Sequence, residues 1–285
     1  MRLEKDKFAG RLLWGGGSVM PLDEVIDEGE RVVLVLNRRV QRKTGQTAVV
    51  SSRWEVRAKD GQLAGKTLPA NPQASGEEFV GKRLPPSPPA PDLSRLRYGE
   101  PVELFNGRDL TGWTLTNPAQ KNGFQAADGV LVNEPVQPEG QARVSYGNLM
   151  TTSKFDDFNL KLEVNVPAGS NSGVYLRGIY EVQISDSFGK PLDSHNMGGL
   201  YSRITPTVAA EKPAGQWQTM DITLVDRHLT VILNGKTIID NAPVLGVTGG
   251  AMTSDEFKPG PIYLQGDHTG VSYRNISLVP VIKAR

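Results

Sequence analysis

Apolar and polar residues alternate in short runs along most of this chain, and the runs end at glycine, proline or asparagine. Successive side chains of a strand point to opposite faces, so a period of two predicts strands with one buried side. Before about Val80 the runs are Gly10 to Trp14, Arg31 to Val40, Ala48 to Ala58 and Gln62 to Leu68, separated by Gly15-Gly16-Gly17, Asp27-Glu28-Gly29 and Lys59-Asp60-Gly61. Glycine and Asp-Gly closures between alternating runs are hairpin signals. Residues 1–83 are therefore expected to form a small β-rich domain, an antiparallel sheet or partial barrel. Leu84-Pro85-Pro86-Ser87-Pro88-Pro89-Ala90-Pro91 then breaks the pattern. Repeated proline cannot pair in a sheet and favours a stiff spacer, which makes 84–98 a linker.

Residues 99–285 return to the same pattern. The runs are Val102 to Phe105, Gly129 to Asn133, Asn148 to Thr151, Phe158 to Val166, Gly173 to Arg177, Tyr180 to Ser185, Gly198 to Ser202, Gln216 to Val225, His228 to Leu233, Lys236 to Asp240, Pro261 to Gln265 and Val271 to Leu278. Only Thr207 to Lys212 invites a short helical turn. Many short strands with Gly, Pro and Asn turns, including Asn234-Gly235, predict an all-β fold: a two-sheet jelly-roll sandwich. Its predicted core includes Val174, Leu176, Val182, Ile184, Ile222, Leu224, Ile262 and Leu264.

The stretch Ser170 to Asp186 is the most informative. Counting in twos puts Val174, Leu176, Gly178, Tyr180, Val182 and Ile184 on one face and Tyr175, Arg177, Ile179, Glu181 and Gln183 on the other. The first face reads as core and the second as a binding surface, provided that Gly178 does not break the register.

Composition narrows the function classes. The formal net charge is +1, from 32 basic and 31 acidic residues among 285, so no global field steers the chain toward nucleic acid or anionic lipid. Arg38, Arg39, Arg42 and Lys43 read as solvated strand edges and loops. Cysteine is absent, which removes disulfides and thiolate chemistry. No window reaches the roughly 18 apolar residues of a membrane span. Met1 to Lys7 is charged and no apolar stretch follows it, so this chain shows no signal peptide. A neutral, polar small-molecule partner fits these facts best.

Five segments together carry a likeness. They are Glu103-Leu104-Phe105-Asn106-Gly107-Arg108-Asp109-Leu110-Thr111-Gly112-Trp113, the Ser170 to Gln183 stretch, Gln216-Trp217-Gln218-Thr219, Leu233-Asn234-Gly235-Lys236 and Ile262-Tyr263-Leu264-Gln265-Gly266-Asp267-His268. In this order, from about Gly99 to Val281, the chain resembles the bacterial 3-keto-disaccharide hydrolase domain family. The resemblance implies a concanavalin-like, laminin-G-like jelly roll and a glucosyl substrate already oxidised at C3. It further implies an upstream sugar 3-dehydrogenase as pathway partner and a periplasmic or secreted location. The first 83 residues resemble the β-rich extension of some members, and no activity is assigned to them.

A 3-keto sugar changes what catalysis requires. An ordinary glycosidase needs two carboxyl groups roughly 5–10 Å apart. A ketone at C3 acidifies the C2 proton, so one base can form an enolate and the C1 substituent can leave before water adds. Such a site needs a base, a cationic or hydrogen-bonding group at the enolate oxygen, and a proton donor for the leaving group. Arg177 offers a charged donor fork, with a plain ion pair to Glu181 as the structural alternative. Glu181 offers an acid or base if apolar neighbours raise its pKa. His195, in a polar loop, and His268, after Gln265-Gly266-Asp267, offer imidazoles near neutrality. Tyr175, Gln183, Tyr201, Trp217, Gln265 and Asp267 are expected to bind substrate, while His228 is expected on an exposed hairpin and Asp255 and Glu256 in a surface loop at the rim.

No cofactor is identified. A divalent cation would polarise the ketone, and Asp186 and Asp193, with His195, Asp267 and His268, are its weak candidate ligands, but no compact ligand spacing is present. Gly15-Gly16-Gly17 is not a phosphate loop, because neither Lys-Ser/Thr nor a helix follows. Two rival readings stay open: a non-catalytic carbohydrate-binding module on the same fold, and a conventional two-carboxylate glycosidase.

Overall fold

The computed structural model describes residues 2–4, 7–14, 17–42, 45–71, 73–140 and 142–282. Gly15, Gly16 and Lys43 lie outside the described residues. The chain forms two compact units, one of Met1–Gly15 with Val19–Pro86 and the other of Gly16–Ser18 with Ser87–Arg285. In the first, the strands Glu24–Asp27, Val32–Gln41, Thr47–Lys59, Gln62–Leu68 and Glu78–Lys82 pair antiparallel in chain order as one five-stranded meander. Trp14 packs against Trp54 and Phe79 with ring centroids 5.5 and 5.1 Å away. Arg38, Arg39 and Arg42 are solvent-exposed, as a solvated edge requires.

The second unit is a jelly-roll sandwich. Its nine-stranded sheet runs in the order Phe124–Ala127, Val130–Asn133, Val271–Ile282, Phe158–Asn165, Trp217–Val225, His228–Leu233 and Lys236–Pro243, with Arg97–Tyr98 and Val102–Glu103 also paired to Val271–Ile282. Its five-stranded sheet runs Trp113–Leu115, Leu149–Thr151, Tyr263–Leu264, Asn171–Leu176 and Tyr180–Ser185. Period-two alternation builds the core: Phe158, Leu160, Leu162 and Val164 are buried, whereas Lys161 between them is exposed. All eight predicted core residues, from Val174 to Leu264, are buried in one apolar cluster. Each such side chain contributes about 1.5–3 kcal/mol by leaving water.

Within the small sheet Val174 pairs with Val182, Tyr175 with Glu181 and Leu176 with Tyr180. Paired residues share a face, so Val174, Leu176, Tyr180, Val182 and Ile184 enter the core while Gly173, Tyr175, Glu181 and Gln183 line the opposite side. Counting in twos therefore survives the turn at Arg177-Gly178-Ile179. Arg177 and Ile179 do not stay on the polar face: both sit in the turn, Arg177 with φ +55, and Ile179 is buried in the apolar cluster.

Two expected elements differ. Gly198 to Ser202 is not a strand: its ends, Gly198 and Ser202, have φ +77 and +54, and only Leu200 bridges to Val182. The segment nevertheless edges the sheet, with Gly198 and Tyr201 donating to the carbonyls of Gln183 and Glu181. Thr207 to Lys212 has no helical turn. Its backbone groups are taken elsewhere, Thr207 N–H by the Ile238 carbonyl and the Ala210 carbonyl by Asn234 Nδ2. Among the described residues no helix is long and apolar enough to cross a membrane.

Candidate active site

Two rows of side chains cross the outer face of the small sheet. In the first, Tyr263 pairs with Tyr175 and Tyr175 with Glu181. The two tyrosine rings stack 3.9 Å apart at 9°. In the second, the Gln265 N–H donates to the Gly173 carbonyl, and Gly173 pairs with Gln183. Gly173 is a gap in that surface, and Glu181 uses it. A Cβ there would lie 2.4 Å from Glu181 Oε1, so the carboxyl group lies over the bare backbone.

Glu181 is buried, and among the described residues no cation forms an ion pair with it. Its Oε2 accepts from the Tyr175 hydroxyl at 2.8 Å, and no described residue donates to Oε1. Burial pushes its pKa up to about 7, against the smaller lowering effects of the Tyr175 hydrogen bond and nearby His268, while Asp267 adds a small upward push. Tyr175 also donates toward the Gly249 carbonyl at 2.9 Å, and Tyr263 to the Gly250 carbonyl at 3.1 Å. Burial, then the Glu181 charge, holds the Tyr175 hydroxyl far above its usual pKa.

His268 Nδ1 lies 2.7 Å from Asp267 Oδ1, and both side chains act electrostatically on Glu181. That hydrogen bond raises the His268 pKa and lowers that of Asp267. His195 lies along the other edge, through Tyr201: its ring meets the Tyr201 ring edge-on at 4.7 Å, and its Nδ1 lies 2.5 Å from Asp193 Oδ1. Ser18, which belongs to this unit, places Oγ 3.0 Å from His195 Nε2 and donates to the Tyr201 hydroxyl at 3.2 Å. Gln183 is buried and donates from Nε2 to Asn171 Oδ1 at 3.2 Å. The fold thus gathers Tyr175, Glu181, Gln183 and Gln265 on one face, with Asp267 and His268 near enough to act electrostatically on Glu181 and with Tyr201 and His195 on the edge.

Four expectations are corrected. Arg177 is buried, and its guanidinium is spent on the carbonyls of Lys258 and Glu256 and on Asp156 at 3.5 Å, so it neither pairs with Glu181 nor offers a fork to substrate. The turn conformation at φ +55 is what redirects it. Trp217 lies on the outer face of the nine-stranded sheet, opposite Asn165, with the Arg274 guanidinium 4.1 Å from its ring centroid. His228 is buried rather than exposed, its Nδ1 3.1 Å from the Asp226 carbonyl. Glu256 is buried too and accepts from the Tyr180 hydroxyl at 2.7 Å, while Asp255 stays outside and pairs with Lys258.

Asp186 accepts from the Gly169 N–H, and Asp193 serves His195. The described residues hold no group of three or more His, Cys, Asp or Glu placed to share a metal ion. Tyr263, Gly173 and the Gly249-Gly250 carbonyls were missed as site residues. Tyr263 was within reach, since it alternates with Gln265 on the same strand face.

A crystal structure of a proposed glycosyl hydrolase from Parabacteroides distasonis ATCC 8503 is 26% identical to this chain, covering 69% of it and 93% of that chain, with a TM-score of 0.50. A second from the same organism is 21% identical over 64% of this chain and 94% of that one, with a TM-score of 0.49. No curated protein matches. Residues 100–279 match the 3-keto-alpha-glucoside-1,2-lyase-like domain; because that is more than half of the chain, the chain belongs to this family.

Proposed function

We propose that this protein cleaves 3-keto-glycosides, with Glu181 as the base that removes the C2 proton. The observation that carries the reading is the Glu181 carboxyl group: buried, with a pKa near 7, held through one oxygen, its other oxygen taking no hydrogen bond from any described residue. A base whose pKa lies near the working pH transfers protons most efficiently. His268, whose pKa is raised by its hydrogen bond to Asp267, supports the role of donor to the enolate oxygen as charge develops there. His195 is assigned as proton donor to the leaving oxygen. In this scheme the C2–H bond breaks toward Glu181, the electron pair forms the enolate, and the C1–O bond then breaks with protonation of the leaving group. Water adding across the resulting double bond makes the net reaction a hydrolysis; release before that addition makes it a lyase. A sugar 3-dehydrogenase would supply the substrate.

The test is incubation of a 3-keto-glucoside and its unoxidised parent in D2O, followed by NMR. Cleavage of the keto sugar alone, with deuterium appearing at C2 and loss of both in Glu181→Gln, is the expected outcome. Cleavage of the unoxidised parent would favour a two-carboxylate glycosidase. Saturable binding without turnover would favour a carbohydrate-binding module.

A further inference from the structure

Tyr175 has one hydroxyl proton and two acceptors, Glu181 Oε2 at 2.8 Å and the Gly249 carbonyl at 2.9 Å. A buried acceptor left unmet costs about 1–3 kcal/mol. The arrangement is complete only when Glu181 is protonated: the carboxyl then donates to the Tyr175 oxygen, and Tyr175 donates to Gly249. Once Glu181 is ionised, the same hydroxyl must turn to Oε2. Turning is all that it can do, because Tyr263 stacks on the ring and a Cβ at Gly250 would already lie 2.5 Å from the hydroxyl oxygen.

The carbonyl cannot follow the hydroxyl either. Its loop is tied to the hairpin turn by Thr248 N–H to the Ile179 carbonyl at 3.0 Å and Met252 N–H to the Gly178 carbonyl at 2.9 Å. The Arg177 fork on Glu256 and Lys258 and the Tyr180 bond to Glu256 hold its far end. We propose that Tyr175 is a positioning residue whose hydroxyl swings between the Gly249 carbonyl and Glu181 Oε2, so that Glu181 stays hydrogen-bonded as both acid and base. The tyrosine proton never leaves its oxygen; only its acceptor changes. The proposal rests on the reading above, in which Glu181 takes a proton from C2 and returns one when water adds.

The titratable groups that act on Glu181 are Tyr175 in its own sheet and His268 with Asp267 after the strand Tyr263–Leu264, while Tyr263 and Tyr273, raised chiefly by burial, also feel the Glu181 charge. Infrared difference titration of the carboxyl band, without substrate, isolates Glu181 when the Glu181→Gln spectrum is subtracted. Tyr175→Phe removes the one donor that the described residues give the carboxylate and, with it, the acceptor of the acid form, so the two losses offset and the Glu181 midpoint is expected to move by less than about one unit, whereas a donor fixed on the carboxylate would give a rise of about one to two. The pH limb of kcat for a 3-keto-glucoside should move by the same amount, with KM little changed. In the unaltered protein carrying 13C-labelled tyrosine, the Tyr175 C–O band should shift in step with the Glu181 carboxyl band as the hydroxyl changes acceptor, a readout that serves if the Phe variant does not fold. A tyrosine band that stays in place as Glu181 titrates, or a midpoint rise of about two units in the Phe variant, refutes the swing even if the keto sugar is cleaved. A tyrosine band that shifts with Glu181 in a protein that never cleaves the keto sugar upholds the swing and refutes the function.

Discussion

Gly173→Ala tests the site with a single methyl group. The added Cβ would lie 2.4 Å from Glu181 Oε1, 2.9 Å from Cγ and 3.0 Å from Cδ, so the oxygen contact is about 1 Å short of an ordinary one. The backbone of Gly173 needs no left-handed conformation, so strain there is not the issue and alanine even narrows the unfolded ensemble, worth about 0.4–1 kcal/mol. Overpacking costs about 1–3 kcal/mol. The net destabilisation is then about 0–2.6 kcal/mol, or at most roughly 10 °C in Tm for a unit of this size. Catalysis should suffer far more, because Glu181 must swing off Tyr175, and a displacement of about 1 Å costs about 10²-fold in rate. The assays are a thermal melt and turnover of a 3-keto-glucoside. A variant that turns over like the unaltered protein, with Glu181 still on Tyr175 in its crystal structure, would refute the reasoning.

Glu181→Gln should change the pH dependence of stability. The folded pKa of Glu181, about 7, lies above its ordinary 4.5, so its contribution is fully present below about 4.5 and is lost as pH rises through 7, an effect of about 3 kcal/mol. The variant should therefore gain on the unaltered protein between pH 5 and 8 in urea melts; a constant difference would count against a neutral Glu181. Arg177→Ala should cost about 3 kcal/mol in the same melts, and Arg177→Lys should recover only part of it, since an ammonium group cannot reproduce the planar fork; a fully stable alanine variant would show that the carbonyl clamp carries little. Trp217→Ala should leave turnover unchanged, and a loss of more than tenfold would return that indole to the site. Ile262→Ala should cost about 2–5 kcal/mol by opening a cavity in the core, and a cost under 1 kcal/mol in urea melts would mean that the site collapses around the gap.

The sheet faces were legible in sequence because burial imposes a period of two: Val174, Val182 and Ile184 could face only the core once Tyr175 and Glu181 faced away. The same logic placed Gln183, Gln265 and Glu181 together. It failed at Arg177, where a residue that alternates correctly on paper falls in the turn and takes a positive φ. It failed at Trp217 for a different reason. Alternation assigns a residue to a face of its own sheet but says nothing about which of two sheets faces substrate. Nor could it see Gly173, whose role is the absence of a side chain, or the carbonyls of Gly249 and Gly250, which every residue type carries.

The strand Val271–Ile282 lies in the interior of the large sheet, between Val130–Asn133 and Phe158–Asn165, and Tyr263–Leu264 lies in the interior of the small one. Each is made after every strand that it pairs with. During synthesis, therefore, neither layer can close until its late interior strand has left the ribosome, and the nascent sheets must wait with unpaired strand edges. Long-range pairing of this kind folds slowly and exposes edges that invite aggregation. Production of the protein should accordingly be more sensitive to growth temperature and chaperone supply than its finished stability suggests, and deletion of Val271–Ile282 would take away an interior strand of the large sheet.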